Sequence, residues 1–203
     1  YSYYFEKALD FDYNARILWN YFVALTKSSR IVEAYDVGLK AALEFYDATI
    51  IEEMLVLTIT FLDIEMFEAL MSRLENIGAE KANFDEATVL CASEAKLLKR
   101  FIDTGYTTAE KLKSAGRIVA EIVDSFGVST LVNRIEHYPE NEHLSIIYRI
   151  LDDFSVDTLI DMNFVLAERL VGADLDVEHF VIQFCKSNGE ELNGCHREEG
   201  YGS

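Results

Sequence analysis

The sequence predicts an all-α protein, either a multi-helix bundle or an irregular α-hairpin array of about ten helices. Three observations predict it. One proline and ten glycines in 203 residues leave few turn positions for a loop-rich all-β fold. Half of the residues are hydrophobic, enough for a packed core. Apolar residues also recur at three- and four-residue steps along most of the chain, the spacing of one helix face.

The opening, residues 1–13, is unusually aromatic. Tyr1, Tyr3, Tyr4, Phe5, Phe11 and Tyr13 either cover an open bundle end or offer a docking surface, and Tyr1, Tyr3, Tyr4 and Phe5 are the aromatic candidates for partner contact. A helix over 13–27 carries Ile17, Leu18, Tyr21, Phe22 and Leu25. The next, 29–46, aligns Ile31, Tyr35, Leu39, Ala42 and Tyr46. Thr49 and Glu52 have the spacing of a capping box ahead of residues 50–62. That segment is apolar nearly all round, which fits a central buried helix or a strand, and periodicity alone does not separate the two. Helix 64–77 presents Ile64, Phe67, Met71, Leu74 and Ile77 and stops at Gly78.

Asn83 and Glu86 predict the start of a helix over 84–103, ending near Gly105. Thr107 and Glu110 predict another, ending near Gly127. Ala115, Gly116 and Ala120 in that helix, and Gly38 earlier, are small enough to admit a neighbouring helix closely. Beyond Gly127 the reading is a short helix to about His137, a break at Pro139, then helices over 140–153, 156–171 and 175–187. Residues 1–187 make one helical domain, with 78–84 as the place where it would subdivide. Residues 188–203, polar and glycine-rich, read as a flexible tail.

Glu33-Ala34 and Glu68-Ala69 repeat at a 35-residue offset, and the apolar character of Ile31/Met66, Val32/Phe67, Leu39/Leu74 and Ala42/Ile77 repeats with them. A two-helix unit of this length resembles the tetratricopeptide class, with Trp19 and Ala34 as the residues matching its signature. The resemblance implies stacked α-hairpins. It spans two units, and no third copy follows near residue 104.

Net charge is −18, from 36 acidic and 18 basic residues. Such an excess opposes direct binding to nucleic acid or anionic membranes and favours basic surfaces. Residues 81–130 are balanced, and their Lys96, Lys99, Arg100, Lys111, Lys113 and Arg117 are available to pair within the chain or across a homodimer. The acidic residues proposed for partner contact are Glu52, Glu53, Glu65, Glu68, Asp152, Asp153, Asp157 and Asp161. Three cysteines, Cys91, Cys185 and Cys195, do not form a disulfide framework, so a reducing, cytoplasmic setting is expected. The longest apolar run, Met54–Leu62, is too short to cross a bilayer.

Motifs for chemistry are sparse. There is no phosphate-cradling glycine loop and no nucleophile elbow. The four histidines, His137, His143, His179 and His196, all lie in the last third. Glu140 with His143, and Asp176 with His179, have the one-turn spacing of carboxylate–imidazole metal ligands in helical bundles. Each pair also sits in a predicted first helical turn, where an acid is favoured by the helix dipole. Cys185, Cys195, His179 and His196 lack the knuckle spacing of a zinc site. The expectation is therefore a non-enzymatic interaction module without a cofactor. It would bind a basic protein or peptide, as a regulator or inhibitor of a nucleic-acid-binding protein. The alternatives are a helical metalloprotein using Glu140, His143, Asp176 and His179, and a structural homo-oligomeric subunit.

Overall fold

The computed structural model describes residues 2–78, 84–138, 142–175 and 179–186. Their order is α1 (Ser2–Phe11), α2 (Ala15–Lys27), α3 (Ile31–Glu44), α4 (Ala48–Thr60), α5 (Ile64–Asn76), α6 (Glu86–Asp103), α7 (Ala109–Phe126), β1 (Leu131–Tyr138), β2 (His143–Ile150), α8 (Val156–Gly172) and β3 (Phe180–Lys186). Among the described residues there are thus eight helices and a three-stranded sheet, a mostly helical protein but not an all-α one.

Side-chain caps start most helices. Asn14, Asp63, Asp85, Thr108 and Ser155 each accept the amide of the residue three positions on, and Asp47 accepts those of Thr49 and Ile50. Asp47 and Thr108, not Thr49 and Thr107, cap α4 and α7. The box predicted at Asn83 falls outside the described residues, as does the subdivision point over 79–83; Asp85 is the observed cap. Gly78, Gly105 and Gly127 do take positive φ at the predicted stops.

Of residues 50–62, ambiguous between helix and strand, 50–60 are helical in α4, and Phe61 and Leu62 form the turn after it. Its buried side chains, Ile50, Ile51, Met54, Leu55, Thr58 and Ile59, point to all sides because α3, α5, α6 and β1 surround it. The small residues work as expected. A methyl on Gly116 would overlap the backbone carbonyl of Phe61, so α7 lies directly on the α4–α5 turn. One on Gly38 would run into Met54 and Phe22. α2 packs on α3 and α4 on α5, as two hairpin units would. α7 then returns to α3 and α5, closing the helices into a bundle instead of extending an array.

The C-terminal third corrects the sequence reading. Where helices are expected up to His137, over 140–153 and over 175–187, the described residues form the strands β1, β2 and β3. β1 and β2 form an antiparallel hairpin, pairing Ile135 with Ile146, and β3 lies parallel to β2, pairing Ile146 with Ile182. The physical reason is alternation. Leu144, Ile146, Tyr148 and Ile150 are buried, with His143, Ser145, Ile147 and Arg149 on the other face, and Phe180, Ile182 and Phe184 repeat the pattern. β-Branched and aromatic residues at period two fit a half-buried pleat and not a helix. The buried face rests on α4 and α6, where the Tyr148 hydroxyl donates to the carbonyl of Thr60 at 2.7 Å.

Both sheet edges are closed by side chains. At β1, the Ile135 amide donates to the Glu94 carboxylate of α6 at 3.0 Å. At β3, the Asn163 side chain of α8 accepts the Phe184 amide and donates to its carbonyl, each at 2.9 Å. Engaging an edge group in this way opposes strand addition at that point. The tail over 188–203, with Cys195 and His196, lies outside the described residues.

Candidate functional site

α8 is a strongly apolar helix with few neighbours among the described residues. It packs on α7 and β3 through Leu159, Met162, Leu166 and Leu170, all buried. Its other apolar residues face water: Val156 is 68% exposed, Ile160 47%, Phe164 71% and Val171 79%. At 3.6 residues per turn these four fall within about 80° of arc. Asp157, Asp161 and Glu168, all exposed, occupy roughly the next 40° and form a rim along one side. On the other side the apolar surface continues into a shallow groove of about 190 Å³ against β3, lined by Leu170, Val171, Leu175, Phe180 and Val181. Arg169, beyond the acids, is tied to Glu121 of α7. The result is a hydrophobic stripe with a one-sided negative border.

A second concave site lies where α4 turns into α5. Leu62 takes a left-handed φ of 53°, which swings Asp63 beneath α7. Asp63 is only 2% exposed. Its Oδ1 caps Met66 N at 3.2 Å, and its Oδ2 takes the Tyr35 hydroxyl at 2.9 Å and Lys113 Nζ at 2.7 Å. Burial, then the Asp63 charge, push the Tyr35 hydroxyl's pKa far above its ordinary value, so it remains a donor. The cavity here, about 390 Å³, is lined by these groups with Phe61, Glu110, Ser114, Arg117 and Ile118. A larger groove of about 810 Å³ between α5 and α6 is mainly apolar, along Phe67, Met71, Phe84 and Leu97.

The acids proposed from sequence separate into committed and uncommitted ones. Asp152 accepts the amides of Ser129 at 2.8 Å and Thr130 at 2.9 Å, clamping the start of β1. Partial burial acts to raise its pKa, but those hydrogen bonds outweigh it and hold the carboxyl below the usual range. Asp153 pairs with Lys186 at 2.9 Å, and Glu68 pairs with Lys99. Glu52 is half-buried, and its carboxyl is raised by burial and by neighbouring Asp85 and Glu53. Glu53 and Glu65 are exposed on α4 and α5. Asp157 and Asp161 border the stripe. Of the aromatic candidates, Tyr3 and Tyr4 are exposed on α1, while Phe5 is half-buried and stacks on Tyr21 at 4.9 Å. Tyr1 lies outside the described residues.

Half of the alternative metal set is described. Glu140 and Asp176 are outside the described residues, His143 opens β2, and His179 precedes β3 with its ring 4.4 Å from that of Tyr106. A three-residue spacing puts two side chains on one face of a helix but not in a strand or turn. Among the described residues no group of three or more His, Cys, Asp or Glu side chains is placed to hold a metal. Nor, among them, is any helix long and apolar enough to cross a membrane.

Sequence reasoning missed Ile160, Phe164, Val171 and Glu168, although a signal was present. Nine of the 17 residues in α8 are large and apolar, more than one packed face holds. It also missed the convergence of Asp63, Tyr35 and Lys113, which come from the α4–α5 turn, α3 and α7 and have no linear signature. No family model matches the chain, and no curated protein or solved structure does.

Proposed function

We propose that this protein is a non-enzymatic interaction module that captures a basic amphipathic helical segment of a partner protein along α8. The observation carrying this reading is the exposed stripe Val156–Ile160–Phe164–Val171 with Asp157, Asp161 and Glu168 beside it. A contiguous apolar patch bordered by charge is the form of a docking surface. Complementarity selects the occupant: one apolar ridge, with lysines or arginines on one flank. A second copy would bring an identical acidic rim. Residues 187–203 carry four glutamates against one arginine, so the chain's own end is a poor fit. The net charge of −18 draws cations from a distance and speeds encounter. Burial of each large apolar side chain then contributes about 1.5–3 kcal/mol. Against association costs of at least about 4 kcal/mol, the four together leave about 2–8 kcal/mol at most, an affinity no tighter than micromolar. Segments that otherwise face a polyanion have this chemistry, so a regulator or inhibitor of a nucleic-acid-binding protein, acting in the cytoplasm, is the role the surface suits.

The test uses a labelled leucine–lysine amphipathic helical peptide and fluorescence anisotropy. The expected result is saturable binding that weakens about tenfold or more in I160D/F164D. That variant adds negative charge, so purely electrostatic capture would strengthen in it. Unchanged or tighter binding by I160D/F164D overturns the reading. So does a wild-type dimer on sedimentation that I160D/F164D converts to monomer, which would assign the stripe to a second copy.

A further inference from the structure

We propose that the cavity at the α4–α5 turn is a binding site for a primary alkylammonium group, with Asp63 as the anionic anchor and Lys113 as its displaceable stand-in. The site is distinct from the α8 stripe and independent of it.

The argument begins with a charge that has been buried. A carboxylate taken out of water is expensive to hold unless paired and hydrogen-bonded. Asp63, 2% exposed, is paired with Lys113, but the lysine side chain is itself 56% exposed and reaches down from the rim. One partner is enclosed and the other stands at the rim. Gly116 sets this geometry. Its close contact with the Phe61 backbone presses α7 onto the turn and brings Lys113, three residues earlier, over Asp63. The Lys113 ammonium, 2.7 Å from Oδ2, marks where a ligand's ammonium would sit.

The rest of the cavity fits the remainder of such a ligand. About 390 Å³ holds a short alkyl chain, and Phe61 and Ile118 supply apolar wall. The Tyr35 ring, stacked on Phe61 at 4.1 Å, holds its hydroxyl on Oδ2 and leaves that oxygen's lone pairs for a second N–H. The lining carries two acids, Asp63 and Glu110, and two bases, Lys113 and Arg117. Arg117 is offset by Asp36 at 3.6 Å and Glu121 at 3.5 Å, so a ligand ammonium in place of Lys113 keeps the charge balance over Asp63.

Ammonium is preferred over guanidinium for a geometric reason. Each carboxylate oxygen already accepts one fixed hydrogen bond, Oδ1 from the Met66 amide and Oδ2 from Tyr35, so a two-pronged guanidinium would need the remaining lone pair of both. A compact ammonium needs only one. The same chemistry comes from two sources, a free diamine or a lysyl side chain of another protein.

Isothermal titration of the full chain with 1,4-diaminobutane and with Nα-acetyl-lysine N-methylamide separates them, because only the diamine has a second ammonium for Glu110. The tighter probe names the source. K113A should bind the preferred probe about tenfold tighter than wild type, since the internal competitor is gone. S114F in that background should remove binding by filling the cavity. Butylguanidinium should bind more weakly than butylammonium. In the wild-type chain the Lys113 ε-methylene resonance should move as probe is added, a readout that does not depend on K113A folding. Absence of any wild-type shift, binding to K113A no tighter than to wild type, or equal binding by K113A/S114F overturns the proposal.

Discussion

α4 and α8 are the two most telling helices because both are apolar over more than half their circumference, yet one is entombed and the other half bare. α4 is surrounded by α3, α5, α6 and β1, and nearly every apolar side chain finds an apolar neighbour. Among the described residues α8 packs chiefly on α7 and β3, and Phe164 is 71% exposed. The difference lies in the neighbours each helix is given, not in its own hydrophobicity. An apolar arc wider than the surface available to cover it indicates a missing partner.

The largest expected effects break that comparison on the α4 side. Leu55→Ala should cost about 2–5 kcal/mol, the range for a fully enclosed side chain. G116A should unfold a large fraction of the protein, since its methyl meets the rigid Phe61 backbone and not a side chain that can swing away. Phe164→Ala, removing more atoms than Leu55→Ala, should change stability by no more than about 0.5 kcal/mol. Urea melts of the three variants check the ordering. A Phe164→Ala loss comparable to Leu55→Ala would mean that α8's outer face is already covered.

What was readable in the sequence follows the same division. Amphipathic stretches with a glycine stop, such as α5 and α7, were legible because local chemistry decides them, although their caps, Asp63 and Thr108, were not the ones read. The sheet was not, although Leu144, Ile146, Tyr148 and Ile150 alternate in plain view. His143, Glu142 and Asp153 around them mimic the polar spacing of a helix end, and only packing against α4 and α6 selects the pleat. The site was legible in part. Asp157 and Asp161 were named for their charge, while the hydrophobic stripe beside them was absorbed into an assumed core. Asp63 and Lys113, fifty residues apart in sequence, become neighbours only through the Gly116 contact.

A second contrast, between the sheet edges these helices flank, gives the next effect. The α6 side closes β1 with an ionisable group, and the α8 side closes β3 with a neutral amide. Burial pushes the Glu94 carboxyl up to about 7, against the lowering pull of the Ile135 amide and of Arg134. Unfolded, it titrates near 4.5. The fold therefore holds the proton more tightly than the unfolded chain does. The stabilisation is complete below about pH 4.5 and is lost as pH rises toward 7, a loss of about 3 kcal/mol. Glu94→Gln should flatten that slope in chemical denaturation at pH 5 and pH 8. A wild-type slope that persists unchanged in Glu94→Gln would place the titrating group elsewhere. Asn163→Leu should give a loss nearer 2 kcal/mol that does not vary with pH, because it strands the amide and carbonyl of Phe184 without ionising anything.

The smallest effect sharpens the reading of the acidic rim. Asp157 lies in the first turn of α8, where a negative charge meets the positive end of the helix dipole, and Asp161 lies a turn further in. If both serve only the fold, D157N alone should lower stability, by a few tenths of a kcal/mol, and D161N should do nothing. If the rim serves a partner, the two should act alike in a different measurement. Each should slow association with the lysine-bearing peptide at low salt, and the difference from wild type should vanish as ionic strength rises. Stopped-flow association rates across a salt series separate the roles. An acid present for docking changes the approach rate without changing the melt, whereas an acid present for the helix does the reverse.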